Sequence, residues 1–174
     1  MINKEEAMQE RKGVVTFKGG PMTLIGPELK AGDAAPDFTA LSDSLQPVKL
    51  SGLKGETVVI SSVPSLDTPV CEAQTKKFNQ EASKLKAKIL TVSMDLPFAQ
   101  KRFCTANKID NVSVVSDYKD REFGQKWGLY IKELGLLTRA VHVVNPEGKI
   151  TYSEVVKEIT NEPNYAAVLE HLQK

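Results

Sequence analysis

The run Thr57-Val58-Val59-Ile60-Ser61-Ser62 constrains the fold of this chain more than any other segment. Its centre is β-branched and lacks polar alternation, the pattern of a strand covered on both faces. Such a strand belongs in the middle of a parallel sheet, which needs helical crossovers to connect its strands. The residues that follow supply them. Ala73, Phe78, Ala82 and Leu85 recur at helical spacing between Cys71 and about Lys86, and Lys84, Lys86 and Lys88 gather near the end, where cations suit the helix dipole. Ile89 to Ser93 predicts the next strand. Asp95 and Pro97 then open a second helix, with Leu96, Ala99, Phe103 and Ala106 on one stripe and Cys104 beside Phe103.

Val112 to Ser116 predicts a third strand, and Phe123 with Trp127 an i, i+4 aromatic pair on a short helix, most simply core or interface residues. Arg139 to Val144, the turn Asn145-Pro146-Glu147-Gly148, and Lys149 to Val156 read as a hairpin, followed by a helix from about Pro163 to Leu172. Near the N-terminus, Val14 to Phe17 and Met22 to Ile25 flank Gly19-Gly20 as another hairpin, with Pro21 suggesting an edge, and Val48 to Leu50 is a short strand. The expected class is α/β, a central mixed sheet flanked by helices.

The 174 residues suit one domain, and 41% hydrophobic content excludes wholesale disorder. A chain of this size holds a core without metals or disulfides. Residues 1–12 are rich in charged helix formers without an apolar stripe, so they are expected to be a flexible extension, with the domain spanning 13–174. The formal charge of +1 gives no support to nucleic-acid or anionic-membrane partners, and no apolar run approaches the ~18 residues of a membrane span. The polar, acidic start is unlike a secretory signal, so a cytoplasmic protein is expected. In a reducing compartment, pairing of Cys71 with Cys104 would be transient.

Chemistry concentrates in Pro64-Ser65-Leu66-Asp67-Thr68-Pro69-Val70-Cys71, which joins the buried strand to a helix. A cysteine in a first helical turn faces unpaired N–H groups and the positive end of the dipole, both of which favour a thiolate. Thr68, on a proline-constrained loop, can place a hydroxyl beside that sulfur. The plainer reading makes Cys71 a small core residue and Thr68 a helix cap. His142 reads as a packed strand residue and His171 as a dipole partner. No zinc spacing, phosphate loop or nucleophile elbow occurs, so neither a cofactor nor a metal is expected.

Pro64, Thr68 and Cys71 fit the PxxxTxxC signature of the peroxiredoxins, and the wider run resembles the thiol peroxidase subfamily of atypical two-cysteine peroxiredoxins. The resemblance continues through Ala35-Pro36-Asp37-Phe38, Asp95 to Cys104 and Thr138-Arg139-Ala140. It implies a thioredoxin-like fold with an N-terminal hairpin and a thiol-dependent peroxidase acting on hydrogen peroxide and organic hydroperoxides. It further implies Cys71 as the peroxidatic and Cys104 as the resolving cysteine, joined in an intrachain disulfide after a sulfenic acid forms. Pro64, Thr68 and Arg139 complete the site, thioredoxin is the reductant, and a homodimer is suggested. Without the resemblance, Arg139 reads equally as half of a strand-end salt bridge. Two rivals are a dithiol-disulfide exchange protein, disfavoured because Thr68 stands where a CxxC pair needs cysteine, and a redox-sensing module on the same fold without efficient peroxidase turnover.

Overall fold

The computed structural model describes residues 9–174. In chain order the first strands are β1 (Glu10–Phe17), β2 (Gly20–Ile25), β3 (Thr39–Leu41) and β4 (Pro47–Lys49), followed by a 3-10 turn at Leu50–Leu53. Next come β5 (Val58–Ser62), α1 (Pro69–Ala82), β6 (Lys88–Ser93), α2 (Pro97–Asn107), β7 (Ser113–Ser116) and α3 (Glu122–Lys126). The chain closes with β8 (Tyr130–Ile131), β9 (Leu136–Leu137), β10 (Ala140–Val144), β11 (Ile150–Val155) and α4 (Tyr165–Leu172).

The larger sheet has the order β11-β10-β5-β6-β7-β3-β4. Its β5, β6 and β7 are parallel, whereas β10 and β11 add on antiparallel beside β5. Period-2 alternation explains why β5 shows no polar face: Val58 and Ile60 enter one apolar cluster with Phe38, Phe123 and Trp127, while Val59 enters another with Phe78, Phe103 and Val168. Leu90 and Ile89 divide in the same way on β6. So α1, α2 and α4 cover one face, and α3 with the Phe38 segment covers the other. This is the expected thioredoxin-like arrangement. No helix among the described residues is long and apolar enough to cross a membrane.

A second, four-stranded sheet, β1-β2-β8-β9, packs Val15, Leu24 and Ile131 against Ile159. The two-residue strands β8 and β9 carry no readable period and exist through pairing with β2 and each other. α1 starts two residues ahead of Cys71 and stops at Ala82, short of the expected Lys86. The chain beyond it tightens into i, i+3 bonds from Lys84 N–H to Glu81 O and Leu85 N–H to Ala82 O, leaving the lysines past the helix. α2 is capped at Leu96, not at Asp95, whose side chain turns elsewhere. His171 sits in the last turn of α4 and its ring Nε2 also hydrogen-bonds Thr151 Oγ1 at 2.9 Å.

The N-terminal boundary needs correcting. Glu10, Arg11 and Lys12 pair with Ile25, Leu24 and Thr23, so the last part of the expected extension is strand, and residues 1–8 lie outside the described residues. Arg11 anchors this edge without an apolar stripe, donating from Nε to Gly26 O at 2.9 Å and from Nη2 to Gly128 O at 2.6 Å. Gly26 and Gly128 have positive φ and approach so closely that a Cβ on either would run into Gln125 O or Pro27 O. Arg11→Ala is therefore expected to cost about 1–3 kcal/mol, and truncation through Lys12 at least as much, read as a lowered midpoint in thermal unfolding.

Asp117, at the end of β7, accepts from Phe123 N–H at 3.0 Å and Gly124 N–H at 2.8 Å and so holds α3 in place. Burial outweighs those donors and pushes its carboxyl from an ordinary 3.8 up to about 6. The folded state keeps a proton that the unfolded chain has already released, so this contribution to stability is present below about pH 4 and lost as pH rises through about 6. Unfolding free energies measured across that window should contain a fall of about 2–3 kcal/mol that is missing from Asp117→Asn.

Candidate active site

Strand β5 ends at Ser62, and the loop after it leads into α1 at the carboxyl end of the parallel strands, where open α/β sheets place their sites. Proline fixes the helix entry: Pro69 occupies the first helical position, where its missing N–H has no cost, and Thr68 is the cap residue with extended backbone (φ −102°, ψ 145°). Its hydroxyl does not cap. Thr68 Oγ1 donates to Ser65 O at 3.0 Å, which closes the loop on itself and leaves the oxygen's lone pairs free to accept. Cys71 follows in the first turn, fully buried, with its carbonyl accepting from Thr75 Oγ1 at 2.9 Å.

Arg139 reaches this sulfur from 68 residues away because of sheet register. β10 pairs antiparallel with β5, Ala140 opposite Ser62, so the residue before Ala140 lies beside the start of the loop. Ser62 Oγ donates to Thr138 O at 2.8 Å and pins the two strands there. Arg139 is 2% exposed, and each guanidinium nitrogen has its own acceptor. Nε donates to Ile159 O at 2.8 Å, Nη1 to Gln74 Oε1 at 2.8 Å, and Nη2 to Cys71 Sγ at 3.3 Å. The strand-end salt bridge is thereby replaced: among the described residues no carboxylate meets this guanidinium, and its outer edge addresses sulfur.

A cleft of about 380 Å³ opens on this group, lined by Pro64, Thr68 and Arg139 together with apolar Phe17, Val70 and Leu136. The structure thus brings four of the five sequence-selected residues, Pro64, Thr68, Cys71 and Arg139, to one place. Cys104 lies apart, half-buried on α2, though it packs against the same apolar cluster as Cys71. Both cysteines are free thiols, and burial, reinforced by Asp43, pushes the Cys104 thiol up. The histidines stay outside the site. His142 packs edge-on against Trp127 at 5.1 Å, and burial lowers its ring to about 4, so it is neutral at pH 7.

Two residues outside the cleft, which hold its supports in place, escaped sequence reasoning. Gln74 is fully buried, accepts from Arg139, and donates from Nε2 to Ser61 Oγ at 2.7 Å. The available signal was a polar residue three positions after Cys71, on the helix face that is otherwise apolar. Asp95 binds the loop before Cys71, accepting from Ser65 Oγ at 2.7 Å and from Leu66 N–H at 2.8 Å. Nothing in the local pattern marks this, since its partners lie about 30 residues away.

Comparison with known proteins converges on one group. Residues 30–169 match the Redoxin family. The chain is 57% identical to the thiol peroxidase of Oceanobacillus iheyensis over 161 residues, covering 92% of this chain and 98% of that one. It is 54% identical to the thiol peroxidase of Bacillus subtilis over 157 residues, 90% and 94% of the respective chains. A peroxiredoxin-like protein from Aquifex aeolicus superposes with a TM-score of 0.88 at 46% identity, covering 95% of this chain and 98% of that one.

The geometry makes the sulfur depend on the shape of its cation as well as on charge. A lysine at 139 carries a single ammonium and cannot bond Ile159 O, Gln74 Oε1 and Cys71 Sγ in the same fan. In a Cys104→Ser background, Arg139→Lys should slow alkylation of Cys71 by iodoacetamide at neutral pH about tenfold, the equivalent of one hydrogen bond to a charged group. Gln74→Leu should slow it by a smaller factor, because the guanidinium keeps two of its three acceptors.

Proposed function

Because the chain belongs to the Redoxin family and, within it, to the thiol peroxidases, we propose that it reduces hydrogen peroxide and organic hydroperoxides with Cys71 as the attacking thiolate. The observation that carries this reading is the 3.3 Å contact between Cys71 Sγ and Nη2 of Arg139, a residue that lines the cleft. The helix N-terminus and the guanidinium both favour negative charge on that sulfur. The same guanidinium is placed to stabilise charge on the oxygen that departs.

The chemistry follows in two steps. Cys71 Sγ attacks the terminal oxygen of the hydroperoxide, the S–O bond forms as O–O breaks, and the leaving alkoxide or hydroxide takes a proton to become alcohol or water. Thr68, with its own proton committed to Ser65 O, accepts the hydrogen bond of the peroxide O–H and orients it. Pro64, buried at the cleft wall, shields the resulting sulfenic acid. The apolar lining of Phe17, Val70 and Leu136 gives room for an alkyl group, which supports organic hydroperoxides beside hydrogen peroxide.

In the second step Cys104 loses its proton and attacks the Cys71 sulfur, forming an intrachain disulfide and releasing the sulfenic oxygen as water. Thioredoxin then returns both cysteines to thiols. A chain that cycles between two thiols and a disulfide needs a reducing compartment, which supports the cytoplasm. A homodimer is supported by the exposed apolar side chains Leu96 and Phe98 at the start of α2.

The variants divide the two steps. Cys71→Ser should lose all peroxide turnover, since a serine hydroxyl is not ionised near neutral pH. Cys104→Ser given one equivalent of peroxide per chain should consume it, with thioredoxin and NADPH then unable to restore a thiol for further turnover. Mass spectrometry of a non-reduced digest of oxidised wild-type protein should find Cys71 and Cys104 bridged. Continued turnover in Cys71→Ser, or in Cys104→Ser with the thioredoxin system, would overturn the respective assignment.

A further inference from the structure

The segment that precedes Cys71 and the helix that carries Cys104 are tied together by one carboxylate. Asp95 lies between β6 and α2. Its Oδ1 accepts from Ser65 Oγ at 2.7 Å, and its Oδ2 accepts from Leu66 N–H at 2.8 Å and from Ser93 Oγ at 2.7 Å. Ser93 Oγ also receives Gln100 Nε2 at 3.0 Å, and the same amide donates to Val115 O at 2.8 Å. Gln100 is fully buried and sits one helical turn ahead of Cys104 on α2. From the opposite side, Ser116 Oγ donates to Asp95 O at 2.5 Å.

This polar network acts beside the buried Pro97 in holding the first turn of α2. Leu96 is 52% exposed and Phe98 67%, so two of the largest apolar side chains there contribute little to docking the helix. A disulfide needs Cα atoms about 5.5 Å apart, and both cysteines are free thiols on separate helices packed on one sheet face. A bond between them requires the two helices, or the segments that lead into them, to shift relative to each other. The bonds at Asp95 join those two segments.

We propose that Asp95 is a positioning residue that latches the loop before Cys71 to the Cys104 helix, and that release of this latch limits conversion of the sulfenic acid to the disulfide. The inference rests on Cys104 as the resolving cysteine. In the gated step Cys104 gives up its proton and attacks Cys71 Sγ; the S–S bond forms, S–O breaks, and hydroxide leaves with that proton as water. No other oxidant or reductant enters. While the latch holds, the sulfenic acid persists, and a second peroxide can carry it to sulfinic acid. Asp95 therefore sets how much peroxide the site withstands before it is lost.

Asp95→Asn keeps the shape and an acceptor but removes the charge that strengthens the three bonds. Three readouts separate the latch from simple support of the site: the rate of single-turnover peroxide consumption, the rate of Cys71–Cys104 bridge formation after rapid quenching and alkylation, and the sulfinic fraction at increasing peroxide. Asp95→Asn should leave peroxide consumption within about twofold while bridge formation accelerates about tenfold, the factor expected for weakening one charge-assisted hydrogen bond. The peroxide concentration needed for half-maximal sulfinic acid should rise with it. Ser93→Ala, which removes one donor and leaves the carboxylate, should move the same readouts in the same direction by less. Unchanged or slower bridge formation in both variants, or slower peroxide consumption with unchanged bridge formation, would overturn the latch while leaving Cys104 as resolver. Absence of the bridge in wild-type protein would remove the resolver assignment and the latch with it.

Discussion

A guanidinium buried to 2% exposure with no carboxylate among the described residues beside it is the constraint on which this site depends. Moving such a cation out of water costs several kcal/mol, and neutral acceptors return only part of that. Arg139 has two neutral acceptors, Gln74 Oε1 and Ile159 O, and its third direction is filled by Cys71 Sγ. The cation is compensated in full when that sulfur carries negative charge. The interior that buries Arg139 thus aims one direction of its fan at a sulfur, the arrangement from which the proposed function starts.

The supports of Arg139 come from three separate parts of the chain. Gln74 is held by Ser61 on β5, so the guanidinium is keyed to the central strand. Ile159 O is held through the N-terminal hairpin: Ile159 N–H donates to Thr16 O, and Thr16 N–H donates to Lys157 O. Between them Glu158 accepts from Gly19 N–H, Thr16 Oγ1, and both the N–H and hydroxyl of Thr160, which holds its carboxyl down at about 2. The small sheet is therefore a working part of the site, since Phe17 and Lys18 form one wall of the cleft and Thr16 steadies the carbonyl that aims Arg139.

What the sequence made legible follows from where burial leaves a period. β5, β6 and the stripes of α1 and α2 are read easily because their apolar residues must satisfy a sheet covered on both faces. Glu10 to Lys12 read as a mobile tail because that strand is held by backbone pairing and by Arg11, neither of which needs an apolar residue. Strands β8 and β9 are too short to have a period at all. In the site, a first-turn cysteine after a proline-braced loop was visible by itself, whereas Arg139 depended on the resemblance, because its approach is set by the pairing of Ala140 with Ser62. The bonds of Asp95 to the loop before Cys71 stay hidden for a related reason. An aspartate two residues before a proline looks like a helix opener, and only the folded chain puts Ser65 and Leu66 within its reach.

The same physics gives the proposed cycle a direction. While Cys71 is a thiolate, opening the first turn of α1 would separate a buried cation from its anion, so the folded site resists opening. Oxidation to the sulfenic acid makes the sulfur neutral and leaves Arg139 with only its two neutral acceptors, which removes the electrostatic reason for the turn to stay closed. The energy that prepares the nucleophile is therefore withdrawn at the moment the nucleophile has reacted. The polar network around Asp95 still holds the two segments beside their shared apolar cluster, and its donors, Ser65, Leu66 and Ser93, are untouched by the change at sulfur. A site that loosens itself on oxidation but keeps one independent fastening has a rate of opening separable from its rate of attack, so peroxide reduction and disulfide formation can be tuned by different residues on the same fold.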